Sequence, residues 1–273
     1  MLHHLYILVA GIVFGLANVI PGVSGGTMAV VFGLYERLID LVANLRTKWR
    51  KELPFILVFG LGAGIGILAF GKLMKWILAN YPTEANAFFI GIILGSIPML
   101  VRLTFRQGKK WHVSPANILP MLITFGIMIP MALADTSGAK ESAVAAQVTS
   151  FNLGNTLLYI LYGVIAISTM IIPGISGSFV MLLLGFYGTI IGAVADLNFL
   201  FAIGCLIGLI TVTKLIKWLL AKYAEPSYSA ILGFVFGSIL CIFPGWSAML
   251  AFWPILMVVV GIAAITLCNR ISG

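Results

Sequence analysis

Long apolar segments recur along the chain, and short polar or basic segments separate them. An apolar run of about 20 residues is long enough to cross the hydrocarbon core of a bilayer as a helix. Six such runs predict six membrane spans. They lie at about 54–79, 84–101 and 117–135 in the first half of the chain and at about 198–219, 227–243 and 248–268 in the second.

Two further apolar segments, 5–45 and 153–195, are broken by short polar sequences. These are "IPGVSGGT" at 20–27 and "IPGISGSF" at 172–179. Proline removes a backbone donor and disfavours helix in the residue before it, and glycine lets the chain turn. Each segment is therefore predicted to be an interrupted hairpin. The uncharged tips favour re-entrant hairpins, and full crossing, with ten spans in all, stays open as the alternative.

Composition is typical of the same class of protein. Hydrophobic residues make up 61% of the 273 residues and charged residues 9%, whereas a soluble domain carries about 25% charged residues. The sequence therefore predicts an all-α polytopic membrane protein.

The chain also contains an internal repeat. An offset of 152 residues aligns the motif P-G-x-S-G at 21–25 with its copy at 173–177. Further along, an offset of 142 aligns "KLMKWILANY" (72–81) with "KLIKWLLAKY" (214–223). The two predicted repeats span 1–135 and 150–270, and each holds one interrupted hairpin and three spans.

The basic residues predict how the repeats are oriented. The basic segments 46–51 and 102–110 are separated by two spans, so both are predicted to be cytoplasmic by the positive-inside rule. The next span places 136–150 outside, and Lys222 and Arg270 then lie inside. The repeats are therefore predicted to be inverted, as in many secondary transporters, with both termini in the cytoplasm.

The two breaks are candidate anion sites. In hydrocarbon, irregular backbone is tolerated only where protein buries it or a wet cavity faces it. A helix that restarts after each break offers free N–H groups and a partial positive charge, which favour phosphate. The predicted phosphate-binding residues are Ser24, Gly25, Gly26, Thr27, Ser176, Gly177 and Ser178. A simpler interpretation, glycine-lined kinks that only allow close helix packing, also fits the sequence.

Two lysine pairs occupy equivalent places in the repeats. Lys72 and Lys75, like Lys214 and Lys217, lie three residues apart and so share a helix face. Lysines near a tryptophan at the end of a span commonly extend to the membrane interface. The functional hypothesis is that one lysine of each pair, Lys72 and Lys214, assists the anion site.

Three charged residues follow only the first break. Glu36, Arg37 and Asp40 have no charged counterparts at an offset of 152, where Gly188 and Thr189 stand in place of the first two. They are candidates for coupling transport to an ion. The alternative is an exposed charge cluster at the cytoplasmic end of the hairpin.

The net charge of +8 could indicate nucleic acid, but half of the basic residues lie in the two basic segments. That placement predicts contact with anionic membrane lipids and no nucleic-acid partner. Three cysteines lie within apolar runs and three histidines outside the spans, so neither a metal site nor a cofactor is predicted.

At the two breaks the sequence resembles the DUF368 family of bacterial membrane proteins. The resemblance is carried by "NVIPGVSGGTMAVVFGLYERLI" (18–39), "IIPGISGSFVMLLLGFYGTII" (171–191) and the repeated K-L-x-K-W segments. It implies a transporter in the bacterial cytoplasmic membrane that returns undecaprenyl or other polyprenyl phosphate from the outer to the inner leaflet, for recycling in peptidoglycan and envelope synthesis. The residues alone imply only an anion.

Two other functions remain open at this point. Lipid pyrophosphate phosphatases of the BacA type use inverted repeats and a P-G-x-S-R-S-G motif, but Gly25 stands here at the arginine place and no paired glutamates lie nearby. Because hydrolysis needs a charge clamp and a general acid or base, no enzyme is predicted. A small-anion channel or exchanger fits the helix starts as well. A homo-oligomer is also compatible with the sequence.

Overall fold

A computed structural model describes residues 2–19, 24–107, 110–111, 113–136, 153–175, 180–181, 190, 193 and 198–272. Its first half contains α1 (Leu2–Val19), α2 (Gly25–Val31), α3 (Tyr35–Ala43), α4 (Leu45–Lys48), α5 (Leu53–Asn80), α6 (Pro82–Phe105) and α7 (Pro115–Thr136). The strands β1 (Arg106–Gln107) and β2 (Lys110–Trp111) pair antiparallel between α6 and α7. Its second half contains α8 (Leu153–Ile171), α9 (Phe199–Lys222), α10 (Ala224–Ile242), α11 (Trp246–Met249) and α12 (Phe252–Ser272).

The described helices confirm an all-α polytopic membrane protein. Four are long and apolar enough to cross a bilayer: Pro82–Phe105, Pro115–Leu133, Phe199–Lys222 and Ala224–Ile242. Shorter apolar helical stretches are His3–Asn18, Leu53–Leu68, Leu157–Ile171 and Phe252–Cys268. Large apolar side chains lie exposed along these helices, as expected of a surface that faces lipid rather than water. Examples are Leu57, Leu61, Leu68, Leu122, Leu133, Leu157, Leu206 and Phe252.

Local sequence explains several helix ends. Pro54 lies in the first turn of α5, where its missing N–H leaves no helix hydrogen bond unmade. Asn198 caps α9, because its side chain accepts a hydrogen bond from Phe201 N at 3.0 Å. Gly33, with φ at +64°, makes the turn between α2 and α3.

In the first half, α1 packs tightly along α5. A methyl group on Gly62 would come within 2.4 Å of Leu8 O, and one on Gly66 within 2.2 Å of Ile12 O. Contacts advance in the same direction on both helices, so α1 and α5 run parallel. The hairpin between them therefore returns the chain to the side on which α1 began.

The same packing occurs in the second half between α8 and α9. A methyl group on Gly204 would come within 2.1 Å of Ile160 O, and one on Gly208 within 2.8 Å of Val164 O. These contacts are related to those of α1 and α5 by the two offsets that align the sequence, 152 for the first helix and 142 for the second. This hairpin also returns the chain to its starting side.

The remaining long helices pair across the halves, α6 with α12 and α7 with α10. Gly91 lies against Val258 O and Gly95 against Ile262, so α6 and α12 run parallel. In the same way, Met121 O lies against Gly233 and Met128 against Gly237, so α7 and α10 run parallel.

These pairings also relate the directions of α6 and α10, which occupy equivalent places in the two predicted repeats. If α6 and α7 both cross the bilayer, the short β-hairpin between them makes them antiparallel, and α10, parallel to α7, then opposes α6. An inverted repeat requires this relation, although the repeat boundaries and the membrane orientation stay predictions.

Candidate functional site

The two breaks, far apart in sequence, meet in the fold. Gly174 N donates a hydrogen bond to Thr27 Oγ1 at 2.7 Å, and Thr27 is 1% exposed. A methyl group on Gly26 would lie 3.1 Å from Ile171 O and 3.3 Å from Pro173 Cα. The first turn of α2 therefore packs directly on the chain where α8 ends.

Gly174 is fixed as glycine by two independent constraints. Its φ is +83°, in the region that L side chains rarely adopt. A methyl group there would also come within 2.4 Å of Phe234 O, a backbone atom of α10. The second break is thus held between α2 on one side and α10 on the other.

Ser24 lies at the start of α2 in extended conformation, with φ −101° and ψ 127°. It is 5% exposed, and its Oγ has no hydrogen-bond partner among the described residues. A buried hydroxyl without a partner is unfavourable. Its position is therefore suited to a polar ligand that completes the site.

Asn18, which the sequence interpretation passed over, lies beside the same helix start. A methyl group on Gly25 would come within 2.2 Å of Asn18 Nδ2, and that amide nitrogen donates to Phe14 O at 2.8 Å. The sequence feature that could have indicated Asn18 is an amide side chain just before the first break, at a position where the second half has Met170. Asn18 thus adds an amide to the neighbourhood of Ser24.

Several predicted site residues fall outside the description. Ser176, Gly177 and Ser178 lie outside the residues that the structure describes. Lys72 lies within α5, but its side chain is not among those described. Lys214 lies on α9 with an exposed side chain. The proposed roles of these residues stay predictions.

Lys217, the partner of Lys214 in its pair, makes a contact that the sequence did not predict. Its Nζ lies 2.7 Å from Asp40 Oδ1, which joins α9 to α3 across the two halves. Asp40 also pairs with Lys48 and accepts a hydrogen bond from Asn44 Nδ2 at 2.8 Å. Asp40 lies outside the apolar spans, and the hydrogen bonds from Lys217 and then Lys48 lower the pKa of its carboxyl group.

The other two charged residues behave differently. Arg37 Nη2 lies 2.7 Å from Glu52 Oε2, and its guanidinium stacks 4.0 Å from the centre of the Phe55 ring. Glu36 is exposed. The three charged residues that the sequence grouped together therefore have different surroundings. Arg37 connects α3 to the start of α5, and Asp40 connects α3 to α9.

An apolar cavity of about 420 Å³ adjoins the second break. It is lined by Ile172 and Pro173 at the second break, by residues of α9 and α10, and by Tyr35 of α3. Its lining residues are Tyr35, Ile172, Pro173, Val212, Leu215, Ile216, Leu219, Leu220, Tyr223, Pro226, Ser227, Ala230, Ile231 and Phe234.

The chemistry around the breaks is that of binding groups without formal charge. Backbone N–H groups, two hydroxyls and an amide lie there, and the ion pairs lie instead on α3, at Arg37 and Asp40. Within the described ranges, no group of three histidine, cysteine or acidic side chains is arranged to hold a metal ion.

The chain is similar to known proteins along most of its length. Residues 14–254 match the family described as VCA0040-like, undecaprenyl phosphate translocase-like. A protein of Vibrio cholerae named polyprenyl-phosphate transporter is 31% identical over 88% of this chain and 78% of its own length. One of the same name in Staphylococcus aureus is 28% identical over 91% of this chain and 89% of its own length. No solved structure matches the chain significantly.

Proposed function

Because the chain belongs to the undecaprenyl phosphate translocase-like family, we propose that it transports polyprenyl phosphate across the bacterial cytoplasmic membrane, from the outer to the inner leaflet. The relatives named polyprenyl-phosphate transporter support the substrate class. The direction and the membrane are part of the proposal.

The observation that carries the proposal is the meeting of the two breaks around a buried hydroxyl. A phosphate cannot cross hydrocarbon without polar partners, because burying an unpaired charge is very costly. Ser24 offers an unpartnered Oγ among the described residues, and the first N–H groups of α2 lie next to it. Donors of this kind bind a phosphate without placing permanent charge in the membrane.

We assign the phosphate to the segment Ser24–Thr27 together with Ser176–Ser178. Thr27 already accepts the hydrogen bond from Gly174 N, and its hydroxyl hydrogen is donated to no residue that the structure describes. The helix α2 is only seven residues long, so the hydroxyls rather than a long helix dipole supply most of the binding. Lys72 and Lys214 are proposed to attract the headgroup as it arrives.

Coupling is proposed at the charged end of the first hairpin. Asp40 and Arg37 link the hairpin to α9 and α5, so a change in either ion pair alters how the hairpin is held. Glu36 is the exposed member of this group. The exposed basic residues Arg46, Arg50 and Lys51 are proposed to contact anionic headgroups.

Reconstitution tests the function directly. Vesicles that contain undecaprenyl phosphate are treated with a membrane-impermeant phosphatase, which reaches only the outer leaflet. We expect wild-type protein to make the inner-leaflet lipid accessible, while protein-free vesicles retain a protected half. No increase in accessibility would refute the function, whereas chloride or inorganic phosphate flux without lipid movement would indicate a small-anion channel.

The site is tested by the double variant Ser24→Ala plus Ser176→Ala. We expect its transport rate to fall by about tenfold or more, because each lost charge-assisted hydrogen bond contributes about 1.5–3 kcal/mol. Ser247→Ala, at an exposed serine on α11, is the matched control and should transport at the wild-type rate. A wild-type rate in the double variant would contradict the assigned roles and leave the function itself intact.

A further inference from the structure

We propose that the cavity between α3, α8, α9 and α10 binds the isoprenoid chain of the substrate, at the units nearest the phosphate. This proposal rests on the proposed function. It adds a second subsite, lined by apolar rather than polar side chains, to the phosphate site at the breaks.

The lining of the cavity matches a hydrocarbon occupant. Leucine, isoleucine, valine, proline and aromatic side chains supply almost all of it, and Ser227 with the hydroxyls of Tyr35 and Tyr223 are the polar exceptions. A void of about 420 Å³ lies within the range of about 300–1,000 Å³ that is common for small-molecule sites. Such a lining excludes a charged headgroup and gains free energy by covering apolar surface.

The position of the cavity favours the substrate's own chain over a phospholipid acyl chain. Ile172 and Pro173 line it directly before Gly174, whose N–H donates a hydrogen bond to Thr27 Oγ1. A chain attached to a phosphate at the breaks enters the cavity within its first carbon atoms. A phospholipid keeps its headgroup at the membrane surface and would have to bring only the far end of an acyl chain to this point.

Part of the cavity lining reaches the surface of the protein. Leu215 is 53% exposed and Tyr223 is 44% exposed, although both also line the cavity. The rest of a long polyprenyl chain can therefore leave between α9 and α10 and remain in lipid. The protein then needs to enclose only the first units, which makes it tolerant of chain length.

Photolabelling of the unaltered protein tests the location. A farnesyl phosphate with a diazirine on its first isoprene unit is irradiated with the protein in vesicles, and labelled peptides are identified by mass spectrometry. We expect labels within residues 212–223 and 226–234, and excess undecaprenyl phosphate should remove them. Labels only elsewhere, or labels that a polyprenyl phosphate does not displace while phospholipid does, would overturn the assignment.

Filling the cavity tests its role in transport. Ala230→Phe on α10 projects a ring into the void, and Val212→Phe does so from α9. We expect each to slow polyprenyl phosphate transport by about tenfold, the equivalent of about two displaced methylene contacts. Ala202→Phe, at an exposed position of α9, is the matched control and should transport normally.

The outcomes separate the two proposals. If wild-type protein moves polyprenyl phosphate and both filled variants, shown to be folded by their thermal transitions, move it equally fast, only the cavity assignment fails. If wild-type protein moves none, the proposed function fails and the cavity assignment fails with it.

Discussion

Two of the contacts between the first half of the chain and the second differ in their chemistry. At the breaks, a neutral hydrogen bond joins Thr27 to Gly174, and Thr27 is 1% exposed. On α3, an ion pair joins Asp40 to Lys217 of α9, and the two side chains are 35% and 41% exposed. One contact is buried and uncharged, and the other is charged and hydrated.

The difference follows from the cost of desolvation. A buried ion pair loses hydration that its mutual attraction rarely restores, whereas a hydroxyl and an N–H satisfy each other at small cost. A site that must accept a phosphate also has to remain free of permanent countercharge, so that the ligand can leave. The breaks are accordingly built from backbone and hydroxyl groups, and the chain places its charges where water reaches them.

The largest expected effect is at the buried contact, with Gly174→Ala. An alanine would sit at φ +83° with its Cβ 2.4 Å from Phe234 O, so α10 or the break has to move. We expect a loss of about 3 kcal/mol or more in the free energy of unfolding, of which the left-handed backbone accounts for about 1–2 kcal/mol. Thermal unfolding in detergent measures it.

The control for that substitution is Gly64→Ala in α5, where an added methyl group meets nothing within 4 Å. Alanine is favoured over glycine in a helix by about 1 kcal/mol, so this variant should be as stable as wild type or slightly more so. Equal losses in the two variants would show that the second break is not specially constrained.

A smaller effect is expected from Thr27→Val, which keeps the shape of the side chain and removes its oxygen. Gly174 N would then be buried without its acceptor, at a cost of about 1–3 kcal/mol. Thr27→Ser keeps the hydroxyl and should recover most of the loss. Stability that is the same in the valine and serine variants would mean that the hydrogen bond does not hold the two breaks together.

Sequence alone predicted the all-helical class because apolar length and composition are local properties. It also located the breaks, since proline and glycine act on their own backbone. It could not predict that Thr27 binds Gly174, because that contact joins residues 147 positions apart. The cavity beside Pro173 could not be predicted either, because it forms only where helices distant in sequence pack against one another.

The lysine pairs show a second limit of prediction from the sequence. The spacing places Lys214 and Lys217 on one face of α9, but it does not say how that face is rotated toward α3. The spacing therefore did not predict that Lys217 contacts Asp40, and the hypothesis that Lys214 assists the anion site stays a prediction. A rotation of one helix by a fraction of a turn decides this, and only packing against neighbouring helices fixes it.

The smallest expected effect is at the charged contact. In a double-mutant cycle of Asp40→Asn and Lys217→Gln, we expect a coupling of about 0.5–1 kcal/mol at neutral pH, because exposed pairs contribute little.

The same contact should depend on pH, because the hydrogen bond from Lys217 and, to a smaller extent, the one from Lys48 lower the pKa of Asp40. Its contribution is therefore complete above the unfolded pKa of about 4 and is lost as the pH falls through the lower folded value. A coupling measured by thermal unfolding should be unchanged from pH 7 to 5 and shrink below about pH 4. A coupling of several kcal/mol would instead mean that the charged contact is as strongly desolvated as the breaks, and the contrast between the two places would not hold.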